Sequence, residues 1–311
     1  MLDLSIIIVS WNVKPLLIAC LDSLYQHLEN PDCPNKLTYE IILIDSHSTD
    51  DSAAYVQAHY PAVKLTAATE NIGYVKANNL GLEQANGAYL LLLNPDTEIQ
   101  GCALQDLLAY LSSHPQAGII GPHTLNTDGT YQSTKRRFPG KITAFFESTL
   151  LQSKAPTKIL DNFYANDIPN DSIAQVDWVQ GSCLMAKREV YQQIGGLDPN
   201  FVMYSEELDW CKRAKNNGWQ VIYFGEASII HHGGKSSEQA SAFKHIQFQK
   251  SKIYYYKKHH GAVFAFLLRL FLIVTYGLDL GLESLKLLLR HKPSLRKERI
   301  HIYWQVMKAL L

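Results

Sequence analysis

The 311-residue sequence has no excess of charge of either sign, with 29 Lys and Arg against 29 Asp and Glu, so nothing in the total marks it for nucleic acid. Cysteine is scarce. Cys20, Cys33, Cys102, Cys183 and Cys211 form no CxxC pair and no metal-ligand spacing, and their odd number argues against a secreted disulfide framework, so a reducing compartment is expected. No basic n-region and no small-residue cleavage site precede the first apolar run, so no secretory signal is expected either. Uninterrupted apolar runs stay short of the ~20 residues that a membrane span needs. No GxGxxG follows the first strand-like run, where SWNVKP stands instead, and this removes the dinucleotide-dependent oxidoreductases. With 47% hydrophobic residues disorder is excluded, and the length suits one large α/β domain with an appendage.

What the chain does have is asymmetry. Residues 250–311 hold 12 Lys and Arg against 3 Asp and Glu, leaving 17 against 26 for residues 1–249, so an acidic body and a basic tail should meet different partners. In the body, SIIIVS at 5–10, IILID at 41–45 and AYLLLLNPD at 88–96 are apolar on both faces. They alternate with helical patterns at 16–24, 52–59 and 75–84, which predicts a parallel sheet covered on both sides. Residues 122–177 lack periodicity and are expected to form loops and an edge β-ribbon, a common place for a variable binding insert. Pattern returns with WVQGSCLMA at 178–186, a helix over 187–194, a helix over 206–216 and the strand WQVIYF at 219–224.

The tail is mostly Leu, Phe, Ile, Val and Ala from Ala262 to Arg290, yet Asp279, Glu283, Lys286 and Arg290 recur on one helical face. A broad apolar face, a charged stripe and basic flanks describe helices lying in an anionic membrane interface. A helical hairpin packed on the body or on another subunit is the alternative.

Several acids stand where open α/β sheets bind ligands. Asp96 closes an apolar strand, at a position suited to a diphosphate-bound Mg²⁺ or Mn²⁺, although Asn94, Pro95 and Asp96 also favour a simple turn. Asp45 ends the earlier strand, before the turn rather than in it, so a ligand-binding role is favoured; Asp50 reads as a helix cap. Glu206, Glu207 and Asp209 open a helix, where the macrodipole alone would stabilise acids, but three within four positions exceed capping and offer a general base that spacing cannot single out. His231 and His232 follow an apolar stretch and precede two glycines, so one of them can complete a metal site.

Taken in order, SIIIVSWN, LIDSHSTDDS, ENIGYVKANNLGL, LLLLNPDTE, the run WVQGSCLMAKREVYQQIGGLDPNFVMYSEELDWCKRAKNNGW and IIHHGGKSS resemble the family 2 glycosyltransferases, and within them the rhamnosyltransferase-like branch, over roughly residues 4–237. The resemblance implies a GT-A fold, a Rossmann-like mixed and mostly parallel α/β sheet with helices on both faces, over 1–237. Residues 1–100 would bind nucleotide, 101–237 would carry acceptor and catalytic groups, and 238–311 would form a helical, amphipathic extension. It also implies an inverting, metal-dependent transfer of a sugar, rhamnose favoured, from a nucleotide-diphosphate donor to a glycan or lipid-linked hydroxyl. Asp45 would hold base and ribose with Ser10 and Asn12 beside it and Asn71, Gly73 and Lys76 close by. Asp96 would be the last acid of a DXD element and a metal ligand, with His231 the second. Glu207 falls at the base, where the family more often has Asp, so Glu206 and Asp209 stay as alternatives. Gly181, Ser182 and Cys183 would meet the acceptor. The expected cofactor is a divalent metal, Mn²⁺ or Mg²⁺. The composition of the tail and the cysteine usage put the expected location in the cytoplasm, at the inner face of the cell membrane, with peripheral contact through the basic C-terminal helices or a homo-oligomer. A processive synthase is disfavoured by the missing QxxRW, and a non-catalytic sugar-binding relative is the remaining alternative.

Overall fold

A computed structural model describes residues 2–233 and 241–311. The expected boundary at 237 and the end of the IIHHGGKSS segment, from Gly234 on, lie outside the described residues. The chain divides into two compact units. The first holds the described residues up to Phe138, Tyr164–Val202 and those from Glu206 to Gly233; the second holds Pro139–Phe163, Met203–Ser205 and the C-terminal helices from Ser241 on.

The first unit opens with β1 (Leu4–Ser10), α1 (Lys14–Leu28), β2 (Tyr39–Asp45), α2 (Ser52–His59), β3 (Lys64–Ala67), α3 (Tyr74–Gln84) and β4 (Tyr89–Leu93). These strands run parallel in the order β3-β2-β1-β4. β1 is buried along its whole length, as a strand covered on both faces must be. Helix α1 turns Leu17, Cys20, Leu21, Leu24 and Leu28 onto the sheet, one stripe at helical spacing.

There follow β5 (Thr97–Ile99), α4 (Ala103–Ser113), β6 (Ala117–Leu125), β7 (Tyr131–Gln132) and β8 (Lys135–Arg136). In the second unit α5 (Thr143–Phe146) and α6 (Thr157–Phe163) come next. The first unit then resumes with β9 (Ile173–Val176), β10 (Trp178–Val179), β11 (Cys183–Lys187), α7 (Arg188–Ile194), α8 (Glu206–Asn216) and β12 (Gln220–His231). The sheet continues past β4 as β11-β6-β12-β5, with β11 antiparallel to both β4 and β6, and β5 antiparallel to β12. β7 hairpins onto β6 and β8 pairs with β10, so the aperiodic insert does contain the expected edge ribbons. The run at 219–224 does not stop there: β12 passes an irregularity between Phe224 and Ser228 and continues to His231.

Gly87 sits where only hydrogen fits, because a Cβ there would lie 2.5 Å from the Ser5 nitrogen and 2.6 Å from the Leu4 carbonyl carbon. Gly87→Ala is expected to destabilise the chain by roughly 1–3 kcal/mol as backbone shifts to relieve the overlap, visible as a lower urea midpoint.

Two expectations are corrected. Cys33 and Cys102, 69 positions apart, form a disulfide, with Cα atoms 5.4 Å apart, while Cys20, Cys183 and Cys211 are free and buried. Sequence spacing carries no information about such a distant pair, and the reducing-compartment reading loses its cysteine support. The second correction concerns the tail, which forms α9 (Ser241–His260), α10 (Ala262–Leu288) and α11 (Pro293–Leu310). Counted as a whole, the 27-residue α10 has the length and composition of a membrane-crossing helix, with a mean hydropathy of 2.0 in its most apolar window, 28% of which is buried in the protein. Its charged stripe is partly drawn into the packing: Glu283 is buried and ion-paired with Arg296 at 2.7 Å and Lys286 at 3.0 Å, while Asp279 and Lys286 are part-buried and Arg290, past the helix end, is exposed.

Candidate active site

The register of the parallel strands brings their C-terminal ends to one edge of the sheet. Ser10 lies opposite Asp45, and Ile8 opposite Leu93, from which the chain runs on into Asn94, Pro95 and Asp96. β11 enters the same edge from the other direction, with Cys183 opposite Leu93 and Gly181 just before it.

Around Ser10 two loops are laced together. The Asn12 amide donates to Ser48 Oγ (3.0 Å) and the Thr49 amide to Asn12 Oδ1 (2.7 Å). Asp50 accepts from the first amides of both α1 and α2, Lys14 N at 2.7 Å and Ser52 N at 3.2 Å, so it holds both helix starts although the N-cap positions themselves are Val13 and Asp51. Asp45 is 3% exposed and already accepts from the Ser48 amide (2.9 Å) and the Ser52 hydroxyl (3.4 Å). A carboxylate has about four acceptor positions, so this turn-holding duty leaves capacity for a ligand hydroxyl or base N–H. Ser10 Oγ is buried beside it with no hydrogen-bond partner. Asn71 takes the Ser46 hydroxyl (3.1 Å) and the Gly73 amide (3.0 Å) on one oxygen. Gly73, at φ +77°, starts α3, and Lys76 stands exposed on its first turn.

Across β4 lies a second group. His231 Nε2 is 3.3 Å from Asp96 Oδ1 and 3.4 Å from Asn94 Nδ2, while its Nδ1 lies 2.6 Å from Gln132 Oε1. An amide oxygen only accepts, so the Gln132 contact places a proton on Nδ1 and leaves Nε2 turned toward the carboxylate. The Nε2–Oδ1 separation is close to the roughly 3 Å between adjacent ligands of an octahedral Mg²⁺ or Mn²⁺. The outer contact to Gln132 is the kind that fixes a metal-ligating histidine. Among the described residues no group of three or more His, Cys, Asp and Glu gathers on one point, so these two side chains suit a cation whose other ligands come from phosphate and water. His231→Ala is expected to weaken Mn²⁺ binding, measured in the presence of nucleoside diphosphate, by about 10- to 100-fold. Unchanged affinity would leave His231 a purely structural residue.

Tyr74 joins this group to the acids of α8. Its hydroxyl donates to Asn94 Oδ1 at 3.1 Å, and the phenol is held well above its ordinary range by burial and then by the negative charge of Glu206, Glu207 and Asp96. A methyl on Gly181 would lie 3.7 Å from both the Tyr74 hydroxyl and Glu207 Cγ, so Gly181 stands between them. Glu207 Oε2 is buried with no partner, and burial raises its pKa. Glu206, also buried with an unpartnered Oε2, is raised well above the carboxylate range, by burial and then by the charge of Glu207. Asp96, His231 and Glu207 are thus brought into one neighbourhood through Asn94, Tyr74 and Gly181. Two shallow surface hollows, around Tyr25–Pro31 and around Tyr110 and Phe224, contain none of these residues.

Three expected roles do not fit the geometry. Asp209 is fully buried and bound to Arg213 at 2.8 Å, whose guanidinium also donates to the Ile194 and Gly196 carbonyls, so it pins α8 to the preceding loop and has no free face for a substrate. Cys183 points into the hydrophobic core, its thiol pushed up to about 12 by burial, and Ser182 offers its carbonyl to the Asn94 amide at 2.9 Å. Of the segment 181–183 only Gly181 borders the candidate acids. Sequence reasoning missed Tyr74 and Gln132. Tyr74 lies between Gly73 and Lys76, which the sequence does single out, and Gln132 lies in the insert without periodicity.

A parallel nucleotide-type half sheet, an antiparallel strand inserted beside β4 and acids gathered at its edge define a glycosyltransferase of the GT-A fold. Residues 5–211 match the model of glycosyl transferase family 2, and the chain belongs to that family, in its rhamnosyltransferase-like branch. It is 27% identical over 269 residues to the N-acetylglucosaminyl-diphospho-decaprenol L-rhamnosyltransferase of Mycobacterium tuberculosis, covering 83% of this chain and 85% of that one. To the rhamnosyltransferase WbbL of Escherichia coli it is 24% identical, covering 52% and 57%. Among solved structures, the mannosyltransferase PcManGT of Pyrobaculum calidifontis with GDP-Man and Mn²⁺ superposes with a TM-score of 0.57 at 15% identity, over 99% of this chain and 88% of that one. The match to GalNAc-T7 with UDP, GalNAc and Mn²⁺ has a TM-score of 0.55 at 16% identity, over 74% of this chain and 44% of that one.

Proposed function

We propose that the enzyme transfers a sugar, rhamnose first among the candidates, from a nucleotide-diphosphate donor to a hydroxyl of a lipid-linked glycan, with inversion at the anomeric carbon, in the synthesis of a cell-surface polysaccharide. The observation that carries this reading is the buried, unpartnered oxygen of Glu207 beside Gly181, linked through Tyr74 and Asn94 to the Asp96–His231 pair. Asp45, with Ser10 and Asn12, binds base and ribose at the ends of β1 and β2. Asp96 and His231 would hold a divalent cation, which would supply positive charge to the leaving diphosphate.

Glu207 takes the proton of the acceptor hydroxyl as its oxygen bonds to the anomeric carbon. The bond from that carbon to the diphosphate oxygen breaks, and its electron pair leaves with the nucleotide. One base suffices for inversion. Gly181 keeps the approach to Glu207 open, and Asn94 with Tyr74 holds the space between base and diphosphate. The lipid-linked acceptor is favoured by the relative in Mycobacterium tuberculosis, whose name specifies an N-acetylglucosaminyl-diphospho-decaprenol substrate.

The test is a panel of nucleotide-sugars with Mn²⁺, read first as thermal stabilisation, since ligand at about 100 times its Kd adds roughly 2.7 kcal/mol of stability. The donor that stabilises is then supplied with a polyprenyl-diphosphate N-acetylglucosamine, and the anomeric configuration of the product is read by NMR. Stabilisation by dTDP-rhamnose and an inverted product are expected; stabilisation by another donor would remove rhamnose, and a retained configuration would remove the single-base mechanism.

A further inference from the structure

A helix that packs one side on its neighbours and turns the other to water carries its charges on the outside. In α10 the arrangement is reversed. Every exposed position of this 27-residue helix is Ala, Val, Leu, Phe, Gly or Ser, while Arg269, Asp279, Glu283 and Lys286 all lie on the inward arc. Along the outer face Val263, Phe266, Val274, Leu278, Leu285 and Leu288 are between 55% and 79% exposed. At 1.5 Å per residue the charge-free face runs for about 40 Å. Both of its ends are marked by exposed cations, Lys257 and Lys258 just before the helix, Arg290 and Lys292 just after it.

Three occupants are open to such a face, and the charges choose among them. A second copy laid along its length would bring cations against cations in either direction, since both ends are basic and the acids of α10 lie on the other arc, with Glu283 already paired to Arg296. A bilayer crossed end to end would have to take in that buried ion pair and the cations of the packed α9 and α11 as well. An anionic lipid surface beneath the helix meets both features at once, taking the apolar face into its acyl boundary and the four cations at its headgroups.

We propose that the outer face of α10 docks the protein in the plane of an anionic lipid surface, with Lys257, Lys258, Arg290 and Lys292 against the headgroups. This goes beyond the transfer reaction, and its test needs neither donor nor acceptor, so the two stand or fall separately.

The full-length protein is floated with vesicles of phosphatidylcholine alone and with vesicles containing roughly 30% phosphatidylglycerol. Wild type is expected to float with the anionic vesicles and to be stripped by alkaline carbonate. Val274→Glu with Leu278→Glu, at positions that touch no core, should lower partitioning by about tenfold or more. Arg290→Glu with Lys292→Glu should lower it on the anionic vesicles and not on the neutral ones, and this pair keeps the test alive if the first variant fails to fold. The proposal is overturned if wild type does not float, if neither variant changes flotation, or if carbonate leaves the protein in the bilayer, which would make α10 a span. It is equally overturned if lipid-free wild type is a dimer that Val274→Glu with Leu278→Glu turns to monomer without loss of flotation.

Discussion

Glu207→Gln should lower sugar transfer by about 10²- to 10⁴-fold while donor affinity, measured calorimetrically, stays within a factor of two or so, because the amide keeps the shape of the side chain but cannot take a proton. Activity within a few-fold of wild type would move the base to Glu206, the remaining unpartnered acid. The pH profile gives an independent reading. Burial raises the Glu207 pKa above the ordinary 4.5, so the acid limb of kcat/KM should lie above that value and disappear in the variant. Stability responds with the opposite sense. A carboxylate whose folded pKa is raised contributes stability fully present below the unfolded pKa and lost as pH rises through the folded one. Glu206 and Glu207 therefore weaken the fold as each ionises, and Glu206→Gln should raise the urea midpoint at neutral pH.

Arg213→Ala is expected to cost about 3–5 kcal/mol of stability, the largest loss among single surface-to-core changes here, because it leaves the fully buried Asp209 carboxylate without its cation and two carbonyls without their donor. Chemical unfolding followed by circular dichroism measures it. The contrast is Lys215→Ala: its pair with Asp177 is about a quarter exposed on each side, so roughly 1 kcal/mol or less is expected there. If the two variants unfolded at the same denaturant concentration, the assignment of Asp209 as a structural acid would fail, and it would return as a candidate base.

The nucleotide-type half of the fold was legible because its strands are apolar on both faces and its helices alternate with them. SIIIVS and IILID became β1 and β2 with Asp45 on the last position, and the helix over 52–59 matches α2 residue for residue. The strand expected over 88–96 ends at Leu93, and Asp96 stands in the turn that follows it, the alternative that Asn94 and Pro95 also favour. What could not be read was anything fixed by distant contact. Gln132 reaches His231 across 99 positions, and Cys33 meets Cys102 across 69. Cys183 carries no mark in sequence that tells a strand's core face from its outer one. The tail was misjudged for a related reason: the spacing of Asp279, Glu283, Lys286 and Arg290 shows that they share a face, and only packing shows that Glu283 is buried there in an ion pair with Arg296 while Arg290, past the helix end, is exposed.

The lacing of the two loops beside Ser10 has a kinetic corollary. Residues 12–14 and 48–52 hold one another through Asn12, Ser48, Thr49 and Asp50. Their backbone amides should exchange with deuterium as a single cooperative unit, at one rate, and a substitution on either side should release both. For the nucleotide of the proposed reaction the walls beside Ser10 would already be set, and little ordering would remain on binding.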